Sequence, residues 1–88
     1  MYRYLHPETI LIFSSDNQLL NAEDALADNG LPYRVIPNPK EVHSACGLAL
    51  AFAAEYHHRG LAALLAAAVP PDAVYQRQGH EFTVLPRS

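Results

Sequence analysis

Two stretches of this chain repeat one pattern: a strand-like apolar run, a helix-spaced segment, then a short apolar run entered after a proline. They span Ile10–Ile36 and Leu48–Tyr75. In the first, Glu8–Ser14 is β-branched and aromatic, which reads as a strand. Ser15 or Asp16 supplies an N-cap, and Leu19, Leu20, Ala22, Leu26 and Ala27 recur at helical spacing. Asn29-Gly30 closes that helix, because glycine takes the left-handed position after a helix without a Cβ clash. Tyr33–Ile36 is then a second strand between Pro32 and Pro37.

In the second stretch Cys46, Leu48, Leu50 and Phe52 alternate with Gly47, Ala49 and Ala51, which is strand period. Alanine also suits a helix, but the strict alternation of large residues, and Gly47 in what would be a first turn, favour the strand. A helix from about Ala53 to Ala68 presents His57, Leu61, Leu64, Leu65 and Ala68 on one face. Within it Gly60 either weakens the helix by about 1 kcal/mol or permits close approach of another backbone. Pro70-Pro71 ends the helix, and Ala73–Arg77 is a fourth strand. Gln78-Gly79-His80 reads as a turn, after which Glu81–Leu85 forms a hairpin strand or a tail.

The order βαββαβ predicts an α+β, ferredoxin-like split βαβ fold: a four-stranded antiparallel sheet in the order 4-1-3-2, with two helices on one face. A single domain over residues 1–88 is expected, with its core at about 8–78 and a hairpin or tail at 79–88. The expected core is Leu11 or Ile12, Leu26, Leu48 or Leu50, Leu61 and Leu64, with Tyr2 and Tyr4 covering an edge.

Charge narrows the partners. Six Lys and Arg against nine Asp and Glu leave a net charge of −3, and the cations are scattered. Nucleic acid is not expected, since binding it needs clustered cations to displace counterions. No apolar run is long enough for a signal peptide or membrane span, and one cysteine cannot form an internal disulfide. These point to a soluble protein of a reducing cytoplasm. No CxxC or HxxxH spacing supports a metal site, and no cofactor loop stands out.

That leaves Cys46 as the chemical handle. In an antiparallel sheet the start of strand 3 lies beside the end of strand 1, so Cys46 should sit near Ser14, Ser15 and the start of helix 1. Asn38, Pro39 and Glu41 suggest one capped helical turn just before it. A helix N-terminus favours a thiolate. At the usual pKa only ~3% of a thiol is ionised at neutral pH, and lowering it by about 1.5 units would ionise half. Lys40 and His43 would add positive charge, Ser44 a hydrogen bond, and Gly47 room for a bulky partner, while Asp16 opposes the thiolate. The plainer reading is a buried thiol acting as a small hydrophobe in phase with Leu48, Leu50 and Phe52. His57 on its apolar stripe reads as a satisfied core-edge histidine.

The stretch Ile36-Pro-Asn-Pro-Lys-Glu-Val-His-Ser-Ala-Cys-Gly-Leu-Ala-Leu50 resembles a small family of selenium/sulfur carrier-like proteins. Pro37, Pro39, Ser44, Cys46 and Gly47 match its Pro-x-Pro…Ser-x-Cys-Gly motif, and Ser14-Ser15 match the small hydroxyl residues ending its first strand. Lys40 stands where the family has Arg, and His43 where it has Ser. The resemblance implies a carrier or accessory protein rather than a stand-alone enzyme. It implies Cys46 as a persulfide or selenosulfide relay between a donor and an acceptor protein, supported by Gly47, Ser44, His43, Lys40, Ser14 and Ser15. The alternative is a non-catalytic ferredoxin-like binding or dimerisation module with a buried structural cysteine, which could form a homodimer. The discriminating observation is the exposure of the thiol: shielded from solvent, it decides for that alternative.

Overall fold

The computed structural model describes residues 6–87, so Tyr2 and Tyr4 lie outside the described residues. Its strands are β1 (Glu8–Ile12), β2 (Arg34–Pro37), β3 (Leu48–Ala53), β4 (Ala73–Gln78) and β5 (Glu81–Leu85). The helices are α1 (Asp16–Asp28) and α2 (His57–Ala66), the latter preceded by a 3₁₀ turn at Ala54–Tyr56. All strand pairs are antiparallel, in the order β2-β3-β1-β4-β5. The sheet therefore has five strands, not the four expected. The first four stand in the expected order, and the C-terminal segment adds a fifth beyond β4. Gly79, at φ 61°, opens the two-residue turn between Gln78 and Glu81 with a positive φ that suits glycine at that position. Phe82 then stacks on Tyr75 with centroids 4.6 Å apart, and Leu85 packs against the core.

Strand period divides the side chains. Leu11, Leu50, Phe52 and Val74 point to one face and meet Leu19, Ala22, Leu26, Leu61 and Leu64 of the two helices. Ile10, Ile12, Ile36, Ala49 and Ala51 form a second cluster on the other face, with Val42, Tyr75 and Phe82 against it. Leu48 and Val35 stay exposed on the helix side near the β2 edge. On the opposite face Glu8 binds Arg34 of β2 and, at 3.0 Å, Arg77 of β4. The carboxylate reaches Arg34 across β3, where Ala51 and Ala53 present only methyl groups.

The element ends have local causes. Ser15 caps α1, its Oγ accepting from the Gln18 N–H at 3.2 Å. Gly30, at φ 69°, ends it, with Leu31 N–H donating to Leu26 C=O and Gly30 N–H to Ala27 C=O. α2 starts four residues later than the expected Ala53, because no side chain caps it and a 3₁₀ turn intervenes. It ends in the same paired hydrogen bonds, Val69 N–H to Leu64 C=O and Ala68 N–H to Leu65 C=O, but with Ala68 at φ 59°. Gly60 serves a side chain rather than another backbone: a Cβ there would lie 2.5 Å from Phe52 Cζ, so the glycine leaves a recess for that ring.

Candidate functional site around Cys46

Residues 38–47 connect β2 to β3 and end at the thiol. Pro37 and Pro39 have no N–H, so Asn38 holds the one backbone donor of that tripeptide. It donates to the Gly47 carbonyl at 3.0 Å, tying the two ends of the connection together. The Asn38 side-chain Nδ2 donates to the Cys46 carbonyl at 2.7 Å. The expected capped helical turn is instead a single turn, closed by Val42 N–H on Pro39 C=O at 2.9 Å. Asn38 is thus a clasp and not a helix cap, and its Oδ1 is buried with no partner among the described residues.

Cys46 was expected to open strand 3, yet β3 starts at Leu48. Its N–H is taken by Ser44 Oγ at 3.2 Å and its carbonyl by Asn38, so its backbone lies outside the ladder. The Ser44 hydroxyl donates in turn to the Phe13 carbonyl, just past β1. Ser44 therefore latches the connection to the sheet end where α1 begins.

The thiol sits beside the start of α1, as the topology requires, but in the opposite electrostatic setting. Cys46 is 1% exposed. Its Sγ donates to Asp16 Oδ1 at 3.1 Å, and Asp16 is the first residue of α1 and itself exposed. Burial pushes the thiol pKa above its ordinary value; a hydrogen bond involving the Leu48 backbone pulls it back, and the Asp16 hydrogen bond and charge raise it further. The expected lowering is overturned, because desolvation and a carboxylate outweigh the donors near Sγ.

The other predicted residues separate into two groups. Ser14 and Ser15 complete the entry of α1: the Ser14 hydroxyl donates to Gln18 Oε1 at 2.8 Å, and Ser15 caps the helix. Lys40 and His43 are exposed, and among the described residues the groups acting on Sγ are Asp16 and Leu48, not these two. Gly47 is exposed, with nothing within 4 Å of where a Cβ would stand. The structure therefore gathers Ser44, Gly47 and Cys46 and leaves Lys40 and His43 at the surface. Asn38 joins the site although it was read only as a helix cap, and Asp16 opposes the thiolate as expected, now as the direct hydrogen-bond partner of Sγ. The two flanking prolines were the sequence signal for Asn38. For Asp16 the signal was a carboxylate at the helix start that the topology brings near Cys46.

The opposite end of the sheet holds a related pair. Thr9, 1% exposed, places Oγ1 3.1 Å from Nδ1 of His57, the first residue of α2. His57 is the core-edge histidine expected, its pKa lowered by burial and by the nearby His58. Among the described residues no three His, Cys, Asp or Glu side chains are placed to hold a metal ion.

Residues 8–76 match the family model described as "Putative Se/S carrier protein-like". The chain belongs to that family. The matched span takes in both strand–helix–strand halves up to Gln76, and Cys46 with its clasp falls within it. No curated protein and no solved structure matches the chain. No helix among the described residues is long and apolar enough to cross a membrane.

Proposed function

We propose that this family member carries sulfur or selenium on Cys46, as a persulfide or selenosulfide, and that the 38–47 connection swings open for loading. The observation that carries the reading is the family match over residues 8–76, which takes in Cys46. The thiol is shut off from water, but its hydrogen-bond partner Asp16 is an exposed residue.

In loading, the Cys46 sulfur attacks the outer sulfur of a donor persulfide, and the donor's inner sulfur leaves as a thiolate. In delivery, an acceptor thiolate attacks the outer chalcogen and Cys46 leaves. The partners are a donor and an acceptor protein of a reducing cytosol, and no cofactor takes part. Ser44 and Asn38 hold the closed state, Gly47 leaves open space beside the thiol, and Lys40 and His43 offer polar contacts to a partner on the same connection. Ser14 and Ser15 act through the entry of α1. The connectivity supports reading the fold as ferredoxin-like with one added strand.

The burial of Cys46 is the condition set for the second reading, a binding or dimerisation module with a structural cysteine that uses the edges at β2 or β5, so the carrier reading requires the connection to open. Two measurements separate them. Alkylation of the native chain by iodoacetamide should run faster than global unfolding, and intact mass after cytosolic expression should show added sulfur or selenium that Cys46→Ser lacks. Labelling only at the rate of global unfolding, with no added chalcogen, would leave the module reading.

A further inference from the structure

The geometry points to Asp16 as the group that takes the proton of Cys46 during loading and returns it to the departing thiolate. This rests on the carrier reading and adds a catalytic residue to it. Oδ1 of Asp16 accepts from Sγ at 3.1 Å, which is contact with the reacting atom. The carboxylate is set there by the frame of α1: Ser15 caps the helix, Gln18 closes back on Ser14 and Ser15, and Leu19 and Ala22 anchor the next turn in the core.

Among the described residues the other elements packed around the thiol offer no rival base. The end of β1 contributes the Phe13 carbonyl, already taken by Ser44, and β3 contributes the Leu48 backbone. Lys40, Glu41 and His43 of the connection are exposed, and none of them figures among the groups acting on Sγ. A buried thiol that holds its proton has little thiolate at neutral pH. It therefore reacts readily only if the proton leaves as the new bond forms.

The step balances without an added oxidant. Cys46 S–H and a donor R–S–SH give Cys46 S–SH and R–SH. The Cys46 sulfur bonds to the outer sulfur, the donor S–S bond breaks, and its electron pair leaves on R–S⁻. The proton passes from Sγ to Asp16 and on to R–S⁻. The same hydrogen bond keeps the resting thiol protonated, so Asp16 suppresses stray alkylation and assists the productive transfer.

The test is the pH profile of loading by glutathione persulfide, read as mass gain on the intact chain and divided at each pH by the fraction of the donor present as neutral persulfide, the form that reacts in this step. With Asp16 as base, the wild-type rate should change less than about threefold between about pH 6 and pH 8, since the reacting form is thiol plus carboxylate. Asp16→Asn should instead follow the thiolate fraction and fall about tenfold for each pH unit below the thiol pKa. Asp16→Glu should restore the flat profile at a reduced rate. Should Asp16→Asn fail to fold, as read by circular dichroism, the solvent deuterium effect decides: about twofold in the wild type is expected, and none overturns the inference. A wild type that loads with the tenfold slope, or a flat Asp16→Asn profile, overturns the role of Asp16 and leaves the carrier reading standing. A wild type that takes up no sulfur overturns both.

Discussion

Helix α1 opens on the capping side chain of Ser15 and closes on Gly30, whereas α2 opens on no capping side chain and closes on Ala68 at φ 59°. The two halves share a plan, and each lays the first residue of its helix against a buried polar group at the far end of the sheet. In one half Asp16 holds the Cys46 thiol, and in the other His57 meets the Thr9 hydroxyl. The first helix is written in local signals. The second is held by what it packs against, with Gly60 seated on Phe52 and with Leu61 and Leu64 in the core. Similar backbone geometry thus supports opposite chemistry: a carboxylate against a titratable thiol at one end, a near-neutral imidazole against an alcohol at the other.

The largest expected effect tests whether packing carries the second half. Leu64 is fully buried, so Leu64→Ala should cost about 2–5 kcal/mol in a denaturant titration. A loss below about half a kcal/mol would break the contrast, since a helix without caps would then be standing without its core contacts.

Next comes the polar pair at the far end. Thr9→Val keeps the shape but removes the hydroxyl partner of the half-buried His57, for a loss of about 1–2 kcal/mol. A neutral result in the same titration would mean that the Thr9–His57 contact contributes nothing.

The pH dependence should differ in sign between the two ends. His57 has a folded-state pKa below the ordinary 6.5, so its contribution is present above that value and lost as pH falls through it. Cys46 has a folded-state pKa above the ordinary 9.0, so its contribution is present below that value and lost as pH rises through it. Burial also raises Tyr33, whose hydroxyl donates to Glu23, and this adds a loss starting at 10.0. His57→Gln should flatten the acid limb of a stability–pH curve and Cys46→Ala the first part of the alkaline limb. If each variant left its limb unchanged, the titrations would belong to other groups.

The smallest effect repairs the asymmetry of the helix ends. Ala68→Gly should stabilise by about 0.5–1 kcal/mol, because alanine at positive φ carries a Cβ clash that glycine lacks. Gly30→Ala should lose a similar amount, and thermal melts of the pair would show whether the two caps are equivalent.

The same contrast explains what could be read from residues alone. The repeated halves, the alternation of Leu48–Phe52 and the core at Leu11, Leu26, Leu50, Leu61 and Leu64 follow from periodicity, and the structure has them. The start of α2 was misplaced because no capping residue marks it. The turn at Gly79 was legible, but a short polar-alternating run such as Glu81–Leu85 does not say whether it pairs, so the sheet came out one strand short. Around Cys46 the neighbourhood and the opposing charge of Asp16 were legible, but not that burial and this carboxylate would outweigh the favourable groups. The topology placed the thiol at the start of α1, but which Asp16 atom meets Sγ, 30 residues away in sequence, depends on packing. Leu48 shows the same limit: it keeps strand phase with Leu50 yet lies 42% exposed near the sheet edge.

The Glu8 clamp has a kinetic consequence. Its two partners lie 26 and 69 residues away, on strands that do not touch each other, so the full clamp closes only after β2, β3, β1 and β4 have all assembled. Burial alone would raise the Glu8 pKa, but the two guanidiniums outweigh it and hold the carboxyl below the ordinary 4.5, so the clamp persists across neutral pH. We predict that a clamp completed last is missing from the folding transition state and present in the native one. Glu8→Gln should therefore leave the refolding rate in stopped-flow unchanged and speed unfolding several-fold, an effect of about 1 kcal/mol. A slowed refolding limb would place the clamp early instead. On that expectation the charged triad sets how long the closed sheet lasts rather than how quickly it forms.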